Sequence, residues 1–196
     1  MIAAGLLVLS RICTTSSTAA IMESGVCLAA LSCTFDAARA MSIRAAGWAL
    51  ARSVISKSVA TQQEIVFGIC TMMSDEQATK SYGNLIGRHT LIAMLTNDVR
   101  SCWFGSTLLA RCLQEPQTKE WLLTVKLPFS DESSTSQVEL DLFSILLARL
   151  AQKQFRLSVL LLLASWSHGS PTAIAQLTRL CIGKQSKRAI ASVRKI

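Results

Sequence analysis

Apolar residues recur along this chain at the three- and four-residue intervals of an α-helix. Ile43, Ala46, Gly47, Leu50 and Val54 fall on one helical face. Alternation of apolar and polar residues, which is typical of strands, does not persist over a useful length. The pattern therefore predicts an all-α fold.

Two later segments show the same periodicity. The apolar faces comprise Val99, Cys102, Trp103, Ser106, Ala110 and Leu113 in the first segment and Phe155, Val159, Leu162, Leu163 and Trp166 in the second. The second segment is also apolar at Leu157, Leu160 and Leu161. A helix that is apolar nearly all round is expected to be buried on several sides, like a central helix in a layered stack.

Capping residues and prolines predict the helix ends. Asp98 is expected to cap one helix, and Glu115-Pro116 is expected to end it. Thr118 is expected to cap a short helix that Leu127-Pro128 ends, and Ser170 precedes a proline at the first position of another helix. The predicted helices are 2–14, 18–33, 36–56, 61–73, 84–96, 98–114, 118–126, 137–152, 154–167, 171–182 and 186–195. Short connections between amphipathic helices favour an armadillo-type α-solenoid, a superhelical stack of antiparallel helices.

A weak internal repeat fits this interpretation. Arg44, Arg100 and Arg156 are spaced 56 residues apart, and each follows an apolar residue. The spacing exceeds that of an ordinary armadillo repeat, and loop insertions would account for the excess.

Composition is that of a folded domain. Hydrophobic residues make up 51% of the 196 residues and charged residues 16%, which argues against disorder. The longest uninterrupted apolar run, Val159–Ala164, is far shorter than the roughly 20 residues of a membrane span. Residues 2–9 resemble the core of a signal peptide but lack a basic segment before it, so we predict an amphipathic helix there.

The cysteines and histidines do not predict a metal site. None of the seven cysteines forms a C-x-x-C pair, and neither His89 nor His168 lies at ligand spacing from a cysteine. We expect free thiols in a reducing compartment, where cysteine packs as a small core residue. They are Cys13, Cys27, Cys33, Cys70, Cys102, Cys112 and Cys181.

No catalytic motif is recognisable. Ser167 and His168 with Asp141 or Asp131 supply the residue types of a hydrolase triad, but no G-x-S-x-G elbow accompanies them. The stretch 83–87 lacks the lysine and hydroxyl residue of a phosphate loop. The sequence predicts no enzyme, and no catalytic, cofactor-binding or metal-binding residue.

Charge suggests no nucleic-acid partner. The net charge is +8, and residues 183–196 supply five basic side chains and no acidic one. We interpret this basic tail as a solvated terminus. Tryptophan side chains can stack on bases, but the four in this chain lie on apolar faces and are predicted to pack in the core; they are Trp48, Trp103, Trp121 and Trp166.

The segment from Asp98 to Leu177 resembles the armadillo-like head domain of the vesicle-tethering golgins, the general vesicular transport factors. The matching residues are Cys102-Trp103-Phe104, Leu113-Gln114-Glu115, Thr118-Lys119-Glu120, Leu122 to Leu127, Arg156 to Trp166 and Ser170 to Ala175. The resemblance is firmest over about residues 42–180, and the Gln62 to Val66 step looks like the preceding repeat.

This resemblance implies a non-enzymatic factor that docks transport vesicles in endoplasmic-reticulum-to-Golgi and intra-Golgi traffic. The implied partners are a Rab-type GTPase and coat, SNARE and golgin proteins, and the implied location is cytoplasmic, peripheral to Golgi and vesicle membranes. Residues 1–182 would form part of the head domain, with 183–196 as a tail outside the family pattern. Full-length family members dimerise through a coiled coil, and no heptad run occurs here. We therefore expect this chain to be a fragment, an alternative product or a truncated gene model.

Other interpretations remain open. The second interpretation is a general helical-repeat scaffold for nuclear transport or nucleic-acid binding. The third, which the sequence favours least, is a membrane-embedded helix bundle. The polar loop 130–137 has the composition of a solvated linker and offers serines for phosphorylation. An N-terminal helix deprived of preceding repeats would favour aggregation, and changing Leu6 and Leu9 to Glu is expected to improve solubility.

Overall fold

A computed structural model of the chain describes residues 1–15, 30, 38–55, 59–71, 82–130 and 137–182. The predicted helix 18–33 apart from residue 30, the predicted helix 186–195, the tail 183–196 and most of the polar loop 130–137 lie outside the described residues. The chain divides into two compact units, Met1–Leu95 and Thr96–Ile196. Both are mostly helical, which confirms the all-α prediction in its coarse form.

The first unit contains four helices among its described residues. They are α1 (Ile2–Thr15), α2 (Met41–Ile55), α3 (Val59–Thr71) and α4 (Tyr82–Leu95). Among these described helices, α1 packs against α2 and α3 packs against α4. Between α1 and α2 the Ser10 and Ser53 hydroxyls lie 2.7 Å apart. The predicted face of α2 is confirmed, since Ala46, Leu50 and Val54 are buried.

Glycine brings α3 and α4 into close contact. A Cβ added at Gly87 of α4 would lie 2.2 Å from the carbonyl oxygen of Ile65 in α3. A Cβ at Gly83 would lie 2.2 Å from the Cβ of Glu64, and one at Gly68 would lie 2.8 Å from the Cα of Asn84. Small residues let two helix backbones approach closely, so Gly83 and Gly87 serve helix packing.

The second unit contains five helices, one 3₁₀ turn and one pair of strands among its described residues. The helices are α5 (Val99–Cys112), α6 (Pro116–Leu123), α7 (Leu142–Leu150), α8 (Arg156–Ser167) and α9 (Pro171–Ile182), and the 3₁₀ turn is Lys153–Phe155. Helix α8 packs against α5, α7 and α9. It is thus the central helix of this unit.

Strands β1 (Lys126–Ser130) and β2 (Gln137–Asp141) form an antiparallel pair that the sequence analysis did not predict. Lys126 pairs with Asp141 and Ser130 with Gln137. The expected helices 118–126 and 137–152 are therefore too long at this junction: α6 ends at Leu123, and α7 begins only at Leu142. Short alternating runs on either side of a polar stretch of sequence were the missed signal.

Two of the predicted caps are confirmed, and one is wrong. The Asp98 carboxylate accepts from the backbone N–H of Arg100 and Ser101, and the Ser170 hydroxyl accepts from the N–H of Ala173. Thr118 does not cap α6; its hydroxyl donates to the carbonyl oxygens of Cys112 and Glu115. The helix begins at Pro116 because proline fits the first helical position without losing a hydrogen bond.

The three equally spaced arginines each lie in the first turn of a helix: Arg44 in α2, Arg100 in α5 and Arg156 in α8. The described elements between them differ, because α3 and α4 occupy the first interval, whereas α6, the strand pair, α7 and the 3₁₀ turn occupy the second. The 56-residue interval thus does not repeat as one structural unit.

Candidate docking surface

The residue types of a hydrolase triad do not form a catalytic arrangement where the structure describes them. The Asp141 carboxylate caps α7, accepting from the backbone N–H and the hydroxyl of Ser144 at 2.8 Å each. His168 is exposed, and its carbonyl oxygen accepts from the Lys119 ammonium. Asp131 lies outside the described residues. Over the same ranges no group of three or more His, Cys, Asp and Glu side chains is placed to hold a metal ion.

An exposed row of leucines on α8 is the most distinctive surface of the second unit. Leu157, Leu160 and Leu161 are 68%, 50% and 37% exposed, and Ala164 is exposed beside them. These four residues, which we call the leucine ridge, lie at positions i, i+3, i+4 and i+7 and share one helical face. The prediction that α8 is buried on several sides is therefore wrong for this face.

The opposite face of α8 is fixed in the core. Val159, Leu162, Leu163 and Trp166 are buried, as their periodicity predicts. The Trp166 ring stacks on Phe143 of α7, with ring centroids 4.1 Å apart. A buried aromatic pair of this kind positions a helix firmly, so the leucine ridge is presented on a rigid support.

Helix α6 holds the C-terminal end of α8 through one residue. The indole N–H of Trp166 donates to the carbonyl oxygen of Lys119 at 3.0 Å. The ammonium group of Lys119, which is itself buried, donates to the carbonyl oxygen of His168 at the helix end. A cation at this position satisfies a terminal carbonyl and complements the helix dipole. Gly169 follows with a φ of 68°, a left-handed conformation that favours glycine at a helix end.

Exposed basic side chains occur just before the leucine ridge in the chain and on the neighbouring helix. Lys153 of the 3₁₀ turn and Arg156, the first residue of α8, are exposed, and so is Arg179 on α9, which packs against α8. The Arg156 Nε donates to the carbonyl oxygen of Leu150 at 3.3 Å. Residues 142–196 contain nine lysines and arginines and no Asp or Glu. They carry more positive charge than the whole chain, whose net charge is +8.

Arg149 of α7 is buried and belongs to the core. Arg149 donates to the carbonyl oxygen of Thr96 at 2.9 Å, and its guanidinium lies 4.7 Å from the centroid of the Phe155 ring. Burial lowers the pKa of Arg149, while the neighbouring Cys102 opposes that shift. Burial in turn raises the pKa of Cys102, although the charge of Arg149 acts in the opposite direction. This cluster therefore supports packing and does not present an exposed charge.

The described cysteines of the second unit are free thiols. Cys102 and Cys112 are buried, as expected, whereas Cys181 is exposed. Burial raises the pKa of Cys112 to about 12. A thiol with so high a pKa stays protonated near neutral pH and is a poor nucleophile. Of the four cysteines of the first unit, Cys27 and Cys33 lie outside the described residues, and the structure does not describe the side chains of Cys13 and Cys70.

The first unit exposes apolar side chains on α1. Ile2, Leu7, Val8 and Ile12 are exposed, whereas Leu6 is only 4% exposed. Leu6 is thus a core residue, and its expected place on an uncovered apolar face is wrong. The exposed positions on this helix are the suitable sites for such a change. Among the described helices, none is long and apolar enough to cross a membrane.

The tryptophans divide between core and surface. Trp48 and Trp166 are buried, as predicted, and Trp121 is partly buried. Trp103 is 37% exposed, so its assignment to the core is wrong. The buried face of α5 runs through Cys102, Ser106 and Leu109, and Trp103 lies outside it. The predicted face of α5 thus included Cys102 and Ser106 correctly and Trp103 wrongly.

A comparison of the chain with protein-family models and with curated protein sequences finds no match.

Proposed function

We propose that this chain is a non-enzymatic docking module of a vesicle-tethering factor and acts through protein–protein contact in endoplasmic-reticulum-to-Golgi and intra-Golgi transport. The observation that carries the proposal is the leucine ridge, an exposed apolar face on a helix whose other side is fixed in the core. Contiguous exposed apolar surface with a polar border is typical of protein interaction sites. The resemblance of residues 98–177 to the tethering head domains supplies the specific role.

An armadillo-type arrangement of the helices is part of this proposal. The packing of α1 against α2 and of α3 against α4 supports it, because solenoids are built from stacked helices. In such a fold each helix layer contacts only its neighbours, and the outer faces are free to bind partners. The partners that we propose are a Rab-type GTPase and coat, SNARE and golgin proteins at the cytoplasmic side of Golgi membranes.

A direct binding experiment tests the tethering role. The purified chain is titrated with a Rab-type GTPase in its GTP and GDP forms, and separately with coat, SNARE and golgin proteins. We expect saturable binding to at least one of them, and recruitment to Golgi-derived vesicles that depends on it. Absence of binding to all four classes would refute the role. Substrate turnover that His168→Ala abolishes would refute the proposal that the chain is not an enzyme.

A helical scaffold that binds nucleic acid is the second candidate. The acid-free stretch 142–196 with its nine basic residues favours it, because clustered Lys and Arg side chains neutralise phosphates. This candidate predicts binding to duplex or single-stranded nucleic acid that weakens steeply as salt rises. Mobility-shift titrations at two salt concentrations distinguish it from the tether.

A further inference from the structure

We infer that the leucine ridge of α8 is the docking site for an acidic amphipathic helix of a partner protein. The inference rests on the proposed function, because it names the kind of segment that a docking module of this kind would bind. It is carried by three observations: the exposure of the ridge, its helical spacing and the charge of its surroundings.

The apolar content of α8 requires a second neighbour. Helices of soluble proteins normally bury one apolar stripe and leave the opposite face polar. Here Val159 and Leu162 occupy the buried side, while Leu157 and Leu160 occupy the exposed side. The sequence of α8 is apolar on both faces, so the ridge is expected to be covered when the protein is bound to its partner.

The spacing of the ridge fits another helix. Side chains at i, i+3, i+4 and i+7 form a ridge that packs into the groove between corresponding side chains of a second helix. Helix α8 has 12 residues and is therefore about 18 Å long. A matching partner segment is an amphipathic helix of about three turns that carries its anchors at the same intervals.

Charge determines the polar face of that helix. Lys153 and Arg156 closely precede Leu157 in the chain and are exposed, and Arg179 is exposed on α9, which packs against α8. Neither α8 nor α9 contains an acidic residue. Acidic side chains beside the apolar anchors of the partner complement this charge and speed the encounter. A second copy of this chain would instead place one basic surface against another.

An anionic lipid surface fits the ridge less well. Helices that lie on membranes carry several lysines and arginines along their polar face and often aromatic residues on the apolar face. The exposed face of α8 has only aliphatic side chains, and Arg156 is the single charged residue of the helix. The observations therefore favour a partner helix.

Two synthetic peptides test the inference with the full chain. Both are 18 residues long and carry leucines at helical i, i+3, i+4 and i+7 positions; one has Glu and the other Lys at all remaining positions. We expect the Glu peptide to bind at least tenfold more tightly than the Lys peptide. Added salt should reduce this difference, because screening weakens exposed charge pairs. Equal binding of the two peptides would contradict the inference.

Matched variants locate the contact. Leu157→Glu and Leu160→Glu should each weaken binding of the Glu peptide at least tenfold. Val8→Glu, at an exposed aliphatic residue of the first unit, should leave that binding unchanged. Arg179→Glu should lower the preference for the Glu peptide over the Lys peptide, while circular dichroism reports an unchanged fold. Loss of binding in the Val8 variant would overturn the assignment. Unchanged binding in the two leucine variants would overturn it as well.

The other possible occupants give different results. If the ridge binds a second copy, the chain sediments as a dimer that Leu160→Glu converts to a monomer. If it binds lipid, vesicles with an anionic lipid retain the chain more strongly than the Glu peptide does, and Leu160→Glu abolishes that retention. Either result overturns the inference. The proposed function can fail while the inference holds. In that case the chain binds the Glu peptide but binds none of the tethering partners. Conversely, partner binding that survives both leucine substitutions overturns the inference alone.

Discussion

The close packing of α3 against α4 predicts that one added methyl group has opposite effects at two glycines. At Gly87 a Cβ would lie 2.2 Å from the carbonyl oxygen and 3.1 Å from the carbonyl carbon of Ile65. These are backbone atoms of α3, so no side-chain rotation relieves the clash. Ordinary van der Waals contacts of a Cβ lie between 3.4 and 4 Å. The two helices must therefore separate by roughly 1 Å, which loosens all their contacts.

The magnitude follows from two opposing terms. Overpacking of a well-packed site costs about 1–3 kcal/mol. Replacing glycine by alanine inside a helix returns about 0.5–1 kcal/mol, because glycine loses more backbone entropy on folding. We therefore expect Gly87→Ala to lower the free energy of unfolding by about 1–2 kcal/mol. Gly5 on α1 has no atom within 4 Å of its added Cβ, so Gly5→Ala should raise that free energy by about 0.5–1 kcal/mol.

Urea unfolding followed by far-UV circular dichroism measures the two changes in the full chain. Amide hydrogen exchange then locates them, because Gly87→Ala should reduce the protection of amides in α3 and α4 and leave the second unit unchanged. A Gly87→Ala variant as stable as the Gly5→Ala variant would refute the reasoning. The backbones of α3 and α4 would then be farther apart than the structure places them.

Three further predictions concern the core, the thiols and the N-terminal helix. Trp166→Ala should cost about 3–5 kcal/mol of stability because it empties a buried aromatic site; Trp103→Ala, at an exposed residue, should cost much less, and urea midpoints distinguish them. Burial raises the pKa of Cys112 from the ordinary thiol value of 9.0 to about 12. The contribution of the protonated thiol to stability is therefore fully present below pH 9.0 and is lost as pH rises toward about 12. Between pH 7.5 and 10.5 the free energy of unfolding of the wild-type chain should therefore fall by about 2 kcal/mol more than that of Cys112→Ala. Urea titrations at the two pH values measure both changes, and equal decreases in the two proteins would contradict the prediction. Val8→Glu should improve solubility and reduce hydrophobic-dye binding, whereas Leu6→Glu should destabilise the first unit because it buries a carboxylate; a soluble, stable Leu6 variant would contradict the assignment of that residue to the core.

The sequence predicted the helices well where periodicity and caps agreed. The buried face of α8 was foreseen at Phe155, Val159 and Trp166, because large apolar residues at helical intervals admit few other interpretations. The cap at Asp98 was foreseen as well, since a carboxylate there satisfies free backbone N–H groups.

The wrong predictions concern a strand pair and the burial of individual side chains, which local sequence patterns do not determine by themselves. The strand pair lies in segments of five residues each, which are too short to separate a strand from a helix by periodicity alone. Helix α8 was expected to be buried on several sides because its sequence is apolar nearly all round, yet burial depends on which neighbours are present. Trp103 was assigned to the core because it shares the predicted apolar face with Cys102 and Ser106, although the buried face of α5 leaves Trp103 exposed.

Lys119 couples two helices that are distant in sequence. Its carbonyl group accepts from Trp166, and its ammonium group donates to the carbonyl oxygen of His168. One residue of α6 thus joins both the side chain and the backbone of the end of α8. Opening of α6 would break both hydrogen bonds at once and leave a buried indole N–H unsatisfied, which costs about 1–3 kcal/mol. Helix α6 and the last turn of α8 should consequently open as a single cooperative unit, although 46 residues of the chain lie between Lys119 and Trp166.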